Sequence, residues 1–308
     1  MNNETFYHQS VLLHECIESL NIIPDGTYLD ATFGGGGHSR EILKHLGPKG
    51  KLIVFDQDED AKRNLPEDKR VIFVQENFRY ANRFVRLHHL KLNGVLADLG
   101  VSSYQFDTAE RGFSIRFDAM LDMRMDNRTP LTATKILNTY SEKRLQELFE
   151  QYGEVTNAKT LAKKIVDTRG RMKLSTINEF KQAIDGLMYG NQNKYLAQVF
   201  QALRIEVNDE MNALKEFLST ITKCLEENGR LVLITFHSLE DRIVKQWMKQ
   251  ESFEEDEFSF TNNNRFRQLQ TVTKKPILPS AEEQKQNPRS RSAKLRVAQK
   301  QTKEKTTK

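Results

Sequence analysis

The sequence predicts an α/β fold in which helices cover both faces of a mostly parallel sheet, with an all-helical domain inserted into the chain. Three observations lead to this fold class. Short, continuously apolar runs alternate with segments of helical periodicity, which is typical of a parallel sheet buried on both sides. A run of four glycines follows the first apolar run, and residues 106–195 contain no strong strand pattern.

The first predicted element is a strand, YLDATF at 28–33, which leads through glycines 34–37 into a helix. Ile42, Leu43 and Leu46 recur at helical spacing along that helix. Three further apolar strands follow: KLIVFDQD at 51–58, VIFVQENF at 71–78 and LNGVLADLGVSS at 92–103. Strands that alternate with helices in this way predict βαβ units and a parallel sheet.

Helical signatures then fill the middle of the chain. Ser141 is a predicted N-cap, and the helix that follows it carries one apolar face and stops at Gly153. A second apolar stripe runs through NAKTLAKKIVDTRG, and Thr176 with Glu179 forms a capping box that opens a third helix. We therefore expect residues 106–204 to form an inserted helical domain for substrate recognition.

The flanking segments, 1–105 and 205–308, are expected to form one discontinuous α/β domain. In the second segment, NDEMNALKEFLSTITKCLEENG predicts a helix over 208–229, and GRLVLITF predicts a buried strand over 229–236. FRQLQTVTKK and AKLRVAQ are later strand candidates.

Length and composition limit the class of protein. The 308 residues suffice for about two domains. No apolar run reaches the roughly 18 residues that cross a bilayer, and the first residues, MNNETFYHQ, lack the basic and then apolar order of a secretory signal. Cys16 and Cys224 are too few and too far apart for a disulfide framework or a zinc site. We therefore expect a cytoplasmic protein with reduced thiols and no metal site.

Positive charge is concentrated at the C-terminus. The formal charge is +5, from 47 basic and 42 acidic residues, whereas residues 285–308 alone contain nine basic residues and one acid. Such a basic arm attracts polyanions such as RNA, although a solvated tail is the alternative.

The glycine turn is a candidate binding loop for a small cofactor. Where a parallel strand meets the next helix, glycines allow a ligand to lie against backbone N–H groups. Asp56 ends the second strand 20 residues after Gly36, the distance at which a carboxylate accepts hydrogen bonds from both hydroxyls of a ribose. The pattern therefore predicts a ligand that contains adenosine.

Asp30, which precedes the glycines, helps to distinguish between two ligands that contain adenosine, a nicotinamide dinucleotide and S-adenosylmethionine. A dinucleotide site needs the full G-x-G-x-x-G fingerprint, which is absent here, and a nearby carboxylate repels a pyrophosphate. An acid at the end of the first strand can instead hold the cationic amino end of a methionyl group. The pattern therefore favours S-adenosylmethionine.

Three more residues are predicted to line this crevice, because ligands bind outside the carboxyl ends of neighbouring parallel strands. Phe78 follows the third strand and can flank an adenine, with a core position as the alternative. Asp98 ends a buried strand, where a carboxylate without a partner would be costly, so a ligand contact or a catalytic hydrogen bond is expected. Gln105 follows in the loop VSSYQF and can reach the same crevice.

These motifs together resemble one family, the bacterial cytidine methyltransferases that modify small-subunit ribosomal RNA on the exocyclic amino nitrogen. The resemblance spans nearly the whole chain and implies a Rossmann-like, S-adenosylmethionine-dependent methyltransferase domain with a helical insertion. It also implies 16S ribosomal RNA as the substrate, within the small ribosomal subunit. The motifs that carry it are HQSVLLHE, GGGGHS, FDQD, ENFR, DLGVSS, ERGFSIRFDAMLDMRMD, FQALRIEVNDE, ITFHSLEDRIVK and RSRSAKLRV.

Carried over residue by residue, the resemblance implies seven contacts to S-adenosylmethionine. The family often has a stretch containing His-Pro before FQALRI, where this chain has NQNKYLAQV, so RNA contacts of that segment are not carried over. The D/N-P-P-Y/F motif of amino-methylating DNA enzymes is also absent, so their mechanism is not transferred. The implied contacts are Gly36, Gly37, His38, Asp56, Phe78, Asp98 and Gln105.

Methyl transfer to a cytosine amino group is mainly a positioning task, because the nitrogen lone pair is delocalised into the ring. As a hypothesis, Asp98 accepts an amino hydrogen and holds the base. HSLEDR is interpreted as a structural or substrate-facing motif rather than a hydrolase triad. Phosphate contact and packing against the sheet are equal alternatives for Arg289, Arg291, Lys294 and Arg296.

Two other functions remain open from the sequence. A nicotinamide-dependent oxidoreductase would use the same crevice but needs the missing fingerprint. A non-enzymatic ribosome-binding protein would keep the basic arm but does not need acids at three strand ends.

Overall fold

The computed structural model describes residues 10–188, 190–253 and 267–302. The chain forms two compact units, which we call the sheet unit (residues 1–100 and 211–308) and the helical unit (residues 101–210). The boundaries predicted from the sequence, after residues 105 and 204, lie five and six residues from these. The opening MNNETFYHQ and the last six residues of the basic arm lie outside the described residues.

The sheet unit is built on seven strands in the order β3-β2-β1-β4-β5-β7-β6. The five strands from β3 to β5 are parallel, and β7 pairs antiparallel with both β5 and β6. The chain moves outward from β1 to β3 and then returns to place β4 on the other side of β1, which makes the gap between β1 and β4 a topological switch point. The strands are β1 Thr27–Asp30, β2 Lys51–Phe55, β3 Val71–Val74, β4 Leu92–Asp98, β5 Leu225–Thr235, β6 Leu269–Thr271 and β7 Lys294–Lys300.

Twelve α-helices accompany these strands in the described part of the chain. In chain order they are α1 Leu13–Leu20, α2 Gly37–His45, α3 Ala81–Leu87, α4 Ser103–Asp107, α5 Ala133–Thr139, α6 Glu142–Gly153, α7 Ala158–Arg169, α8 Ile177–Ala183, α9 Gln192–Asn208, α10 Glu210–Ile221, α11 Ser238–Gln250 and α12 Ala281–Gln286.

Alternate side chains of the sheet enter two separate cores, as a sheet buried on both faces requires. Leu29 and Ile53 belong to the core that includes Phe217 of α10 and Val244 of α11. Their strand neighbours, such as Leu52, belong to the opposite core with side chains of α1 and α2. The α/β prediction is therefore confirmed.

The helical unit has its own core, to which α5 to α9 contribute buried side chains. Its described residues contain no strand, and Met120 and Thr176 form an isolated antiparallel bridge. Thr176 and Glu179 form the predicted capping box, and Ser141 caps α6 as expected. None of the helices in the described ranges combines the length and the apolar character that a bilayer crossing requires.

Two of three sequence predictions about element bounds are wrong in detail. The helix predicted over 208–229 ends at Ile221, and β5 begins at Leu225, because Leu225 pairs with Leu92 ahead of an irregularity in the strand register. The predicted stop at Gly153 is confirmed, since Gly153 is the last residue of α6, and the next residue, Glu154, takes the left-handed conformation (φ 51°). Only Leu269–Thr271 of FRQLQTVTKK is strand, and Phe266 lies outside the described residues.

Candidate active site

Three carboxylates lie at the carboxyl ends of neighbouring strands in the sheet unit. Asp30 is the last residue of β1, Asp98 is the last residue of β4, and Asp56 directly follows β2. Because β1 pairs with both β2 and β4, these acids share the edge of the sheet at the switch point. The sequence prediction that strand-end acids gather here is confirmed for these three residues.

Asp30 is buried and tied into the turn that follows it. Its Oδ2 accepts a hydrogen bond from Ser39 Oγ at 2.6 Å, and its Oδ1 accepts one from the backbone N–H of Thr32 at 3.1 Å. Burial raises the pKa of Asp30, although the Ser39 hydroxyl and nearby His38 favour the ionised form. Asp30 therefore joins β1 to the first turn of α2.

The glycine turn adopts a conformation that suits glycine. Gly34 and Gly36 have φ values of 50° and 73°, in the left-handed region. A Cβ on Gly36 would also stand 2.8 Å from the ring of Phe33. The turn therefore brings bare backbone to the start of α2, as a ligand-binding loop requires.

Asp56 holds this turn against the end of β2. Its two oxygens accept hydrogen bonds from the backbone N–H of Gly34 at 2.7 Å and of Asp58 at 2.9 Å. Burial raises the pKa of Asp56 to about 7, against the lowering effect of the two N–H donors. The sequence indicated a ribose contact for Asp56 but gave no sign that its carboxylate also supports the glycine turn.

His38 has a hydrogen bond that fixes its tautomer. Its Nε2 lies 3.0 Å from the carbonyl oxygen of Val11, and since a carbonyl only accepts, Nε2 carries the hydrogen. The other ring nitrogen, Nδ1, lies 3.9 Å from Oδ2 of Asp98. Burial lowers the pKa of His38, although the Asp30 carboxylate favours the charged ring. A neutral His38 therefore presents an acceptor nitrogen towards Asp98.

Gly37 is needed for a close approach between two segments of chain. A Cβ there would clash with the hydroxyl of Ser10. Ser10, Val11 and Leu12 therefore pack directly against the start of α2.

Leu12 is anchored from the far end of the sequence. Its backbone is left-handed (φ 51°), and its N–H donates to Oε1 of Glu283 at 2.8 Å. Glu283 belongs to α12, 271 residues further along the chain. These contacts, from Glu283 to Leu12 and from the neighbouring Val11 to His38, were not predicted from the sequence.

Asp98 is the acid in this group with an unpartnered oxygen. Its backbone N–H donates to Thr32 Oγ1 at 2.7 Å, but its Oδ1 is buried and has no hydrogen-bond partner among the described residues. Burial raises the pKa of Asp98 well above its usual range, and the negative charges of Asp30 and Glu240 add to the effect. A buried oxygen without a partner is costly, which indicates a group that completes its contacts when a ligand binds.

The remaining two predicted residues lie in different units. Phe78 follows β3 in the sheet unit and is partly buried, with its ring against Phe217 in an edge-to-face contact at 5.2 Å. Gln105 lies on α4 of the helical unit, where it forms a capping box with Ser102. The structure thus brings Gly36, Gly37, His38, Asp56, Phe78 and Asp98 into one unit, and Gln105 belongs to the other.

Two of the basic residues near the C-terminus have structural roles. Arg296 is buried, and its Nε donates to Oδ1 of Asp241 at 2.6 Å, while Lys294 Nζ lies 3.2 Å from Oδ2 of Asp241. Burial alone would raise the pKa of Asp241, but these two cations lower it. The packing alternative is therefore confirmed for Arg296, whereas Lys294 pairs with the same carboxylate but keeps 40% of its side chain exposed.

HSLEDR begins α11 and does not form a hydrolase triad. His237 is the N-cap of α11 and forms a capping box with Glu240. Asp241 forms an ion pair with Arg296 of β7. The motif therefore fixes the junction between β5 and α11.

The electrostatics of the strand-end edge favour a cationic ligand. Three carboxylates lie there beside an imidazole whose lowered pKa leaves it uncharged at neutral pH. A positive group would relieve the repulsion between the acids, whereas a pyrophosphate would add to it. This arrangement fits a sulfonium or ammonium group beside a ribose.

Comparison with known proteins agrees with this chemistry. A family model described as the MraW methylase family matches residues 5–301. A protein named ribosomal RNA small subunit methyltransferase H from Bacteroides fragilis is 53% identical over 304 residues, which cover 96% of this chain and 98% of that protein. A protein of the same name from Bacteroides thetaiotaomicron is 53% identical, with coverage of 97% and 99%. Another from Flavobacterium psychrophilum is 51% identical, with coverage of 94% and 100%.

Proposed function

The chain belongs to the MraW methylase family, and from that premise we propose that it methylates the exocyclic amino nitrogen of a cytidine in small-subunit ribosomal RNA. It is an S-adenosylmethionine-dependent methyltransferase that acts on ribosomal RNA, in agreement with the family model and with the shared name of its relatives. Neither the oxidoreductase nor the non-enzymatic alternative finds support in these comparisons. We place the activity in the cytoplasm, on 16S ribosomal RNA within the small ribosomal subunit.

The observation that carries the site assignment is the unpartnered Oδ1 of Asp98 at the switch point. It lies at the sheet edge where Asp30 ends β1 and Asp56 follows β2, next to a glycine turn that carries no side chains. These residues fit S-adenosylmethionine, because its positive charges require acids and its ribose requires a hydrogen-bond acceptor.

Each residue at this edge has a proposed role in holding the cofactor. Asp56 accepts hydrogen bonds from the ribose hydroxyls, and Phe78 packs along the adenine. Gly36 and Gly37 present their backbone to the methionyl part, beside His38. Gln105 stays a predicted contact that the resemblance implies. When bound, S-adenosylmethionine supplies a methyl group on a positively charged sulfur.

The chemical role of Asp98 follows from its position and its protonation. Bound S-adenosylmethionine would supply its methyl group to the amino nitrogen of cytosine, and its sulfur would keep the electron pair of the broken carbon–sulfur bond. The nitrogen must then lose one proton. Asp98 accepts an amino hydrogen in a hydrogen bond, which orients the base, and its raised pKa suits it to receive the proton.

Methyl transfer to defined RNA substrates tests this function. Purified protein, radiolabelled S-adenosylmethionine and one of three acceptors would be combined: small ribosomal subunits, naked 16S ribosomal RNA, or free cytidine. We expect label in RNA and, after digestion, a cytidine methylated on its amino nitrogen. Label on another base, or on the ring carbon of cytosine, would refute the proposed chemistry.

A further inference from the structure

The helical unit carries a concentrated positive charge that the proposed active site does not use. Residues 158–173, which comprise α7 and the turn after it, contain six basic residues and one acid, Asp167. The other residues of the helical unit, between 101 and 210, contain ten basic residues and fourteen acids. The charge of this unit is therefore segregated onto one short segment.

Five of these six cations are exposed, three on α7 and two in the turn after it. The apolar stripe of Ala158, Leu161, Ala162 and Ile165 is buried in the core of the unit. We call the five exposed cations the α7 basic surface: Lys159, Lys163, Lys164, Arg171 and Lys173. Arg169 is excluded, because its guanidinium donates to the carbonyl oxygens of Leu137 and Tyr140.

The α7 basic surface has no acidic partners in the described ranges of the chain. None of its five side chains forms an ion pair or a hydrogen bond there. Lys159 and Lys163 stand four residues apart on the same face, and like charges at this spacing destabilise a helix. No ion pair holds these lysines in place on α7, in contrast to the ion-paired Arg296 and Lys294 of the C-terminal arm.

The chemistry of this surface matches the backbone of a nucleic acid. Lysine ammonium groups on flexible stems bind phosphate as point charges and release its counterions. Met172, which is 40% exposed between Arg171 and Lys173, adds an apolar contact of the kind a ribose or base can cover. A partner of negative charge and regular spacing fits better than a neutral protein face.

We infer that the α7 basic surface binds the phosphate backbone of the substrate RNA and so contributes affinity rather than chemistry. The inference rests on the proposed function, because it takes ribosomal RNA as the partner. It assigns a phosphate contact to a defined segment of the helical unit, which was expected from the sequence to recognise the substrate.

A charge-matched pair of variants tests this interface in the full-length protein. The test variant is K159Q/K163Q/K164Q, and the control is K135Q/K143Q/K194Q, which removes the same charge from exposed lysines of α5, α6 and α9. Measurements are the Kd for 16S ribosomal RNA at several salt concentrations, kcat and KM for methyl transfer, affinity for S-adenosylhomocysteine, and Tm.

We expect the test variant to bind RNA about tenfold more weakly at moderate salt, with the slope of log affinity against log salt reduced by about two. KM should rise to match, while kcat, S-adenosylhomocysteine affinity and Tm stay at wild-type values. The control variant should bind RNA within about twofold of wild type.

Four outcomes would overturn the inference. Unchanged RNA affinity and KM in the test variant would place the RNA elsewhere while leaving the proposed function intact. Equal losses in the test and control variants would indicate a general effect of net charge. A raised KM for assembled subunits with unchanged affinity for naked RNA would indicate an acidic ribosomal protein as the partner. A wild-type protein that neither binds nor methylates ribosomal RNA would refute the proposed function together with this interface.

Discussion

At the scale of single residues, the buried carboxylate of Asp98 lowers the stability of the folded protein when it is ionised, and it also has a role in the proposed chemistry. Its pKa is raised above the unfolded value, so the folded protein holds this proton more tightly than the unfolded chain does. The contribution of Asp98 to stability is therefore most favourable below the unfolded pKa and is lost as the pH rises towards the folded pKa. A functional carboxylate in this place is retained despite that loss.

Asp98→Asn should consequently separate activity from stability. We expect kcat to fall by about 100-fold or more, because an amide cannot take up the amino proton. We also expect a higher Tm than wild type at pH 8 and a much smaller difference near pH 4, where the aspartate is protonated in the folded protein and about half protonated in the unfolded chain. Methyl-transfer kinetics and thermal unfolding at the two pH values measure this. Turnover that persists with only a weakened cofactor affinity would show that Asp98 is a binding group and not the proton acceptor.

Asp56 should make nucleoside affinity depend on pH. With a pKa of about 7 it is largely protonated at pH 6 and ionised at pH 8, so it is a better acceptor for ribose hydroxyls at the higher pH. We expect 5′-methylthioadenosine, which lacks the amino-acid part and so avoids Asp30 and Asp98, to bind several-fold more tightly at pH 8 by calorimetry. The Asp56→Asn variant should lose this dependence, and a wild-type affinity that is flat across the range would contradict the role of Asp56.

Glu283 is a positioning residue, because it anchors the segment of chain that holds His38. The sequence Ser280-x-x-Glu283 fits a capping box, and Ser280 does cap α12, but Glu283 directs its carboxylate to the N–H of Leu12 instead. Glu283→Ala should weaken S-adenosylhomocysteine binding about fivefold, roughly 1 kcal/mol, because the segment that holds His38 loses its anchor.

Two matched variants control this prediction. Glu283→Gln keeps an acceptor oxygen and should restore most of the affinity, and Glu282→Ala removes an exposed acid one residue away and should have no effect. If Glu283→Ala lowers Tm but leaves cofactor affinity unchanged below the transition, its role is structural only.

At the scale of elements, local signals predicted helix starts better than helix ends. Ser141 and the pair Thr176 and Glu179 act as caps where the sequence indicated, because a cap depends on side chains within one turn. The end of α6 depends on packing instead. Gly153 is required because a Cβ there would lie 2.8 Å from the carbonyl oxygen of Gln198, a contact that cannot be inferred from the neighbouring sequence.

The capping box of α8 provides a test of local stability. Thr176→Ala and Glu179→Ala should each destabilise the protein by about 1 kcal/mol, since each leaves backbone N–H groups without a partner. The double variant should cost less than the sum, because the two side chains cap each other's backbone. Urea unfolding of the four proteins measures the coupling, and strict additivity would show that the two hydrogen bonds are independent.

The strand-end acids were the part of the site that the sequence predicted well. Asp30 and Asp98 lie in apolar runs that were predicted as strands, and the structure ends β1 and β4 at these acids, whereas the predicted runs extended to residues 33 and 103. The ion pair between Asp241 and Arg296 could not be predicted, because 55 residues separate the partners and only the antiparallel pairing of β5 and β7 brings them together. The same holds for Glu283 and Leu12.

At the scale of the whole molecule, the distribution of charge assigns different tasks to the two units. The acids of the sheet unit gather where a positively charged cofactor fits, and the cations of the helical unit gather on α7. A count of charged residues does not show this difference between the units. The C-terminal arm is rich in basic residues, but two of them, Lys294 and Arg296, form ion pairs with Asp241.

The central claim is that the strand-end edge of the sheet unit holds a sulfonium donor. Isothermal titration calorimetry of the purified protein with S-adenosylmethionine, S-adenosylhomocysteine and NAD tests it most directly. We predict saturable binding of the first two at a single site, loss of that binding in Asp98→Ala, and no heat of binding with NAD. Saturable binding of NAD together with no response to either sulfur compound would contradict the account.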